Sequence, residues 1–354
     1  MGLSVFLVES PTQLVSAIEA KSNNSEENVL VVLYGTSDRV ENNLQLDKLV
    51  NSTNWMKVYR FYQSSNLYFN IFLNTFYLML LKCVFVSKVS KVYLGEYRNY
   101  FLCCIAKLIS TNKEVLLEDG TITINLQKKH FTNGRGIRSF YRDKRAYKLM
   151  YLYSKLFFFE IDDVAPDLYS FFDLEQYLSE GQVNLRKNSK IEVSKQLELF
   201  YFFGSKYSEA GLFSLETELA LLSFSFEYVR CNFNCRIIYV PHRDDSKAKL
   251  KYILTLGIEI KNIDGPCEPY FELNDYIPSY IGGFFTTCLY SLTRKFYIKK
   301  AVSFDVSRYI ISSVDFDDAK RIYEYYSESN IHVIEATEKV NSLLDSKCDT
   351  QENV

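Results

Sequence analysis

The stretch VLLEDGTITI, residues 115–124, sets two carboxylates side by side where an apolar strand would end. Val115, Leu116 and Leu117 read as a buried strand. Glu118 and Asp119 follow, and Gly120 permits a turn. Adjacent acids suit general-base chemistry, because one neighbouring carboxylate raises the pKa of the other. The same residues also make an ordinary Asp-Gly turn, and both readings stand at this point. A second centre is Pro241-His242-Arg243, which closes the apolar run RIIYVPHR. An imidazole there suits proton delivery near neutral pH. Arg243 offers a two-pronged donor to phosphate or carboxylate, or is a solvated charge beside Asp244 and Asp245. A third is Thr286-Thr287 after Gly282-Gly283, where hydroxyls and N–H groups opening a helix form a phosphate cradle or a plain cap.

These residues need strands and helices to carry them. SVFLVES (4–10), NVLVVLYG (28–35), WMKVYRFY (55–62), KVYLGEY (91–97) and EVLLEDG (114–120) read as strands. Helical patterns fall between them, including PTQLVSAIEAKS with Ser10 as N-cap and Pro11 at the first helical position, and NYFLCCIAKLIS (99–110). The polar segment NLRKNSKIEVSK (184–195) breaks the pattern. Alternation then resumes with LELFYFFGS (197–205), SLETELALLSFSFEYV (214–229), RIIYVPHR (236–243), KYILTLGIEI, SYIGGFFTTCLYSLT (279–293) and KAVSFDVS (300–307). The expectation is α/β: two facing, Rossmann-like, doubly wound domains over residues 1–185 and 192–330, with 331–354 as a C-terminal helix or tail. Ligands of such sheets sit outside the carboxyl ends of the strands, where Glu118, Gly204 and His242 fall.

A chain of 354 residues exceeds one usual core, which agrees with two domains. A net charge of −2 argues against a general nucleic-acid binder. The eight cysteines form no framework and read as reduced thiols; neither they nor the three histidines have zinc-site spacing. MGLSVFLVES lacks the positive region of a signal peptide. The apolar stretch 69–86 contains Asn70, Asn74 and Lys82, so a buried or amphipathic helix fits it better than a membrane span. DFDD (315–318) contains a D-x-D of the kind that binds metal elsewhere, but it precedes AKRIYEYY and reads as a helix start. KKHFTNGRGIRSFYRDKRAYK (128–148) holds eight Lys/Arg against one acid. It suits an anionic glycan or a membrane surface, or is a solvated face.

Taken in order, these motifs resemble those of the bacterial sialyltransferases, especially the polysialyltransferase-like and lipooligosaccharide sialyltransferase groups. Glu118-Asp119-Gly120 resembles their acid–acid–glycine motif, Pro241-His242-Arg243 their histidine motif, and Thr286-Thr287 their Ser/Thr pair. SPTQL (10–14), LGEYRN (94–99), FGSKYSEAG (203–211) and GPCE (265–268) match as well, so the resemblance runs from about residue 5 to 295. In much of that superfamily the histidine precedes a proline; here Pro241 comes first and Arg243 follows. The resemblance implies a GT-B type architecture and an inverting, metal-independent glycosyltransferase. It would move sialic acid, or a related nonulosonic acid, from its cytidine monophosphate (CMP) conjugate to a capsule or lipooligosaccharide acceptor. The CMP-sugar is a substrate, and no cofactor or metal is implied. Glu118 is then the base, with Asp119 supporting it or exchanging roles, and His242 the acid at the departing phosphate. Gly204, Ser205, Arg243, Glu268, Thr286 and Thr287 would hold the donor, and Ser10, Gln13, Arg135 and Arg138 the acceptor, which the resemblance allows to be lipid-linked. The implied location is cytoplasmic, at the inner face of the cell membrane. CMP-Kdo, CMP-legionaminic acid or CMP-pseudaminic acid would serve the same fold, and a non-catalytic polyanion or membrane-surface binder is the reading from another class.

Overall fold

In the computed structural model, which describes residues 2–36, 39–85, 89–110, 113–187 and 190–336, strands and helices alternate through two separate units that divide after Lys187. Unit 1 runs β1 (Leu3–Val8), α1 (Pro11–Ser22), β2 (Glu27–Tyr34), α2 (Val40–Asn51), β3 (Lys57–Tyr62), α3 (Leu67–Val84), β4 (Val89–Leu94) and α4 (Tyr100–Ile109). It continues with β5 (Val115–Leu117), α5 (Ile122–Lys129), α6 (Ile137–Tyr141), α7 (Ala146–Phe157) and β6 (Asp167–Tyr169). Its sheet has the order β3-β2-β1-β4-β5-β6 and every pairing is parallel.

Unit 2 runs β7 (Lys195–Phe203), α8 (Leu215–Asn232), β8 (Arg236–Val240), α9 (Lys247–Thr255), β9 (Glu259–Ile260) and α10 (Cys267–Leu273). Then come β10 (Tyr276–Gly283), α11 (Thr287–Lys295), β11 (Lys300–Asp305), α12 (Ser313–Glu328) and β12 (His332–Glu335). Its order, β12-β11-β10-β7-β8-β9, is the same winding seen from the other side, again wholly parallel. The order reverses between β1 and β4 in unit 1 and between β7 and β10 in unit 2. At each reversal the crossovers leave toward opposite faces, and a crevice opens at the carboxyl ends of the strands.

Local chemistry explains the element starts. Ser10 Oγ accepts the Gln13 N–H at 3.3 Å, so α1 begins where the sequence places it. Ser214 caps α8 through Thr217 N at 3.1 Å. Ser312 caps α12 through Asp315 N at 3.4 Å, which puts the D-x-D into that helix's first turn. Aromatic residues supply much of the packing. Phe6 stacks on Tyr93 with ring centres 4.3 Å apart, and Phe202 meets Phe226, Tyr239, Phe284 and Phe304 at 5.1–6.1 Å. The described cysteines are all free.

Three expectations change. Residues 332–335 are a strand at the margin of the second sheet, not tail; the rest of the expected tail, from 337, lies outside the described residues. The strand expected over 114–120 is β5 alone, so Glu118 already belongs to the turn that follows it. Helices α2, α5, α6 and α7 and strand β6 were not anticipated: α2 is rich in Asn and polar residues, and the others are short or crowded with aromatics and charges.

A buried ion cluster fixes the approach to β5. Lys107 Nζ on α4 reaches Glu114 Oε2 and Asp162 Oδ2, both at 2.8 Å, while Lys107 and Glu114 are almost wholly buried. Burial raises the Glu114 pKa even with the ammonium beside it. Removing one partner of such a pair leaves the other charge stranded. Lys107→Met is therefore expected to cost unit 1 about 3 kcal/mol near neutral pH, and less in acid where Glu114 is protonated; urea titrations at both pH values check this.

Candidate functional site

The carboxyl end of the first sheet gathers acids around one amide. Gln13, buried in the first turn of α1, accepts the Glu9 N–H at 2.8 Å through Oε1 and donates through Nε2 to Asp119 Oδ1 at 3.0 Å. Glu9 follows β1, Glu96 follows β4 and Asp119 follows β5, so three neighbouring strand ends each deliver a carboxylate. Arg98 answers them. Its Nε and Nη2 grip Glu96 at 2.9 and 2.6 Å, and Nη2 lies 3.4 Å from Asp119 Oδ2. Gly95 lets the strand ends close up: a Cβ there would lie 2.6 Å from Gln13 Oε1 and 2.8 Å from the Leu7 carbonyl. Gly120, at φ 79°, makes the left-handed turn that an L side chain resists.

The two acids of the doublet differ in surroundings. Glu118 has 0% of its surface exposed; Ser170 donates its hydroxyl to Oε2 and Thr123 donates to Oε1 at 3.3 Å. Burial pushes its pKa up to about 8, against the pull of Ser170, Arg186 and Thr123. Asp119 keeps 16% of its side chain exposed. Burial and the nearby Glu96 carboxylate lift its pKa well above the usual carboxylate range, while Arg98 and Gln13 pull it back. Burial works against ionising Glu96, but the hydrogen bonds and charge of Arg98 outweigh it and hold that acid below its ordinary value. Solvent reaches Asp119 and does not reach Glu118. Glu118, expected as the base with Asp119 able to exchange roles, is thus the enclosed member of the doublet, and Asp119 is the one at the open side of the turn after β5.

The second sheet presents different chemistry. His242, two residues past β8, keeps 29% of its side chain exposed. Its backbone N–H donates to Asp245 Oδ2 at 3.1 Å, and its Nδ1 accepts the Asp244 N–H at 3.2 Å. An Nδ1 that accepts leaves the proton of the neutral ring on Nε2. Burial and the adjacent Arg243 charge lower the His242 pKa, with Asp244 and Asp245 opposing. The lowered pKa further favours, at neutral pH, the neutral ring with its proton on Nε2. Gly204 N donates to the Val240 carbonyl at 2.9 Å, and a Cβ on Gly204 would fall 2.1 Å from Tyr239 Oη. That phenol is held by Asp245 at 2.7 Å.

Behind this loop stands a residue the sequence did not single out. Lys249 has 0% of its side chain exposed, and Nζ contacts Glu218, Glu209 and Asp245 at 2.7, 2.8 and 2.9 Å and the Ser205 carbonyl at 3.1 Å. It ties the loop after β7 to the loop after β8. Thr286 is the N-cap position of α11 without a side-chain cap bond, and Thr287 opens the helix. Gly283 brings the end of β10 against that of β7: a Cβ would lie 2.9 Å from the Phe203 carbonyl. Glu268 on α10 accepts the Ser291 hydroxyl of α11, and the Cys267 and Cys288 sulfurs on the same two helices are 3.7 Å apart.

Gly204, Ser205, His242, Arg243, Thr286 and Thr287 therefore follow the adjacent strands β7, β8 and β10. Of the residues expected to bind an acceptor, Ser10 caps α1 and Gln13 is committed at both ends to the protein, so both position the acids. Arg135 is exposed before α6, and Arg138 Nε donates to the Ile161 carbonyl at 2.9 Å; among the described contacts neither meets Asp119. Glu9, Glu96, Arg98 and Lys249 were missed. Strand-end position and the LGEYRN match could have indicated Glu96 and Arg98, but nothing local marks Lys249.

No family model and no curated protein matches the chain. Among solved structures it is similar to the alpha/beta-galactoside alpha-2,3-sialyltransferase of the luminous marine bacterium Photobacterium phosphoreum, with TM-score 0.49 and 11% identity over 94% of this chain and 98% of that one. It is also similar to the Photobacterium damsela sialyltransferase, with TM-score 0.46 and 11% identity over 95% and 81% of the chains. The Neisseria meningitidis UDP-GlcNAc 2-epimerase scores 0.44 at 11% identity over 99% and 92%. Likeness this distant assigns no activity, and the set itself spans transfer and epimerisation.

The proton on Glu118 has a stability signature. The folded chain holds it up to about pH 8, whereas the unfolded chain releases it near 4.5. This group's contribution is therefore full below the lower value and is lost as pH rises through the upper one. Glu118→Gln should abolish a decline of up to about 5 kcal/mol between about pH 5 and about pH 8, measured by urea unfolding.

Proposed function

We propose that the protein is an inverting glycosyltransferase that uses a CMP-activated sialic acid or related nonulosonic acid. The observation that carries this reading is the pairing of chemistries at the two sheets' carboxyl ends. One holds an accessible carboxylate of raised pKa. The other holds an imidazole with its proton on Nε2 after β8 and a helix opened by Thr286 and Thr287 after β10, the two strands that flank β7. The motif order supports the same class.

In this reaction the acceptor oxygen attacks the anomeric carbon as the bond from that carbon to the phosphate oxygen breaks. Asp119 takes the hydroxyl proton, for which a lifted pKa is an advantage near neutral pH. Arg98 and Gln13 fix the carboxylate's direction. His242 stays neutral and donates a hydrogen bond from Nε2–H to the departing phosphate oxygen, so that CMP leaves as its anion with the growing charge stabilised. The α11 N-terminus and Arg243 take up the remaining charge of the nucleotide. Glu118 and Lys249 act through the loops they hold.

Released CMP tests the reading, with the CMP conjugates of sialic, legionaminic and pseudaminic acids and of Kdo as donors. Asp119→Asn and His242→Ala should each lower turnover at least about a hundredfold, whereas Glu118→Gln should retain most of it. The acid limb of the turnover profile should sit above the ordinary carboxylate range, following the Asp119 shift. A folded wild type that releases no CMP from any donor would favour a binding protein, and full turnover in Asp119→Asn would sink the assignment.

A further inference from the structure

The face formed by α3 and α7 plays no part in that chemistry. One side of α3 is built into unit 1. Asn74, Leu78 and Leu81 are buried, Asn74 Nδ2 donates to Tyr100 Oη at 3.3 Å, and Tyr77 stacks on Phe61 with ring centres 4.1 Å apart. The other side shows Tyr68, Phe69, Phe72, Phe76 and Met79, all exposed, on one helical stripe. α7 lies alongside: Tyr153 Oη donates to the Ile71 carbonyl at 3.3 Å, and Lys82 Nζ donates to the Phe157 carbonyl at 2.7 Å. It adds Tyr151, Leu152 and Leu156 to the exposed surface, and Phe158 beyond its end is 86% exposed. Apolar surface of this extent on a folded domain marks an interaction site.

Charge identifies the partner. Lys148 and Lys155 stand exposed among those α7 side chains, and Arg142, Lys144 and Arg145 precede them. From Lys128 to Glu160 the acids are Asp143 and Glu160 alone, in a chain whose net charge is −2. An open cavity of about 840 Å³, bounded by Arg138, Tyr147, Tyr151, Lys155 and Phe158 with Glu160 as its one carboxylate, adjoins the face. We propose that α3 and α7 dock unit 1 onto an anionic phospholipid bilayer, lying in the headgroup plane with the aromatic side chains inserted and the basic groups at the phosphates. A second copy of the chain fits less well, because two-fold pairing would set these basic groups against each other. Leu67–Val84 is long and apolar enough to cross a bilayer, but its ties to Tyr100 and Phe157 hold it on the unit.

Docking does not depend on glycosyl transfer, so either can fail alone. Flotation of the full chain with phosphatidylglycerol–phosphatidylcholine vesicles should recover it, and pure phosphatidylcholine should recover far less. Replacing Phe72 and Phe76 together by Ser should weaken anionic-vesicle binding about tenfold or more. Lys148→Glu with Lys155→Glu should weaken it about fivefold per charge and reduce its salt dependence. All four of these side chains are exposed, so unchanged circular dichroism and urea midpoints are expected of both variants. A wild type that stays off anionic vesicles, or aromatic-to-Ser variants that bind as wild type does, would overturn the proposal. So would a dimer in solution that the Ser variants dissociate without any vesicle binding, which would assign the face to a second copy.

Discussion

A single buried amide organises the acidic end of unit 1. Gln13 accepts from the chain at the end of β1 and donates to the carboxylate after β5, so two strand ends share one rigid connector. The amide can do this because Gly95 carries no Cβ to occupy its place. Glu96 and Asp119 then share the Arg98 guanidinium, whose two-pronged grip is on Glu96, while Glu9 faces Arg39 at 3.8 Å. That imbalance is why Glu96 is held ionised while Asp119 is pushed toward its protonated form. A carboxylate of raised proton affinity, once ionised, is the stronger proton acceptor.

Unit 2 reaches comparable rigidity by the opposite arrangement. There one ammonium, Lys249, sits without solvent among Glu209, Glu218 and Asp245 and also holds the Ser205 carbonyl. Asp245 passes the restraint on to the His242 backbone and to the Tyr239 phenol. The imidazole is therefore placed by hydrogen bonds behind it, while its second nitrogen points away from them. A shared winding order thus carries a carboxylate cluster in one unit and an imidazole in the other.

The winding was legible because parallel strands buried on both faces read as unbroken apolar runs between helical patterns, as in NVLVVLYG and LELFYFFGS. The cap at Ser10 was equally plain. The choice between Glu118 and Asp119 was not, since it turns on where β5 stops, and strand ends are weakly encoded in a short apolar run. Lys249 was invisible for a related reason: its three acids come from two loops and a helix, and only the fold makes them neighbours. The α3 stripe was visible as an apolar helix, but its exposure depends on which side the unit covers.

The outermost strands have a consequence for handling the protein. In the second sheet β9 spans two residues and β12 four, and in the first β6 spans three. The longer β3 carries Lys57 and Arg60. Short or charged margins offer little template for strand addition by another molecule. A polypeptide this rich in Tyr and Phe is thereby guarded against fibrillar growth from its sheets, and any self-aggregation should proceed through helical surfaces instead.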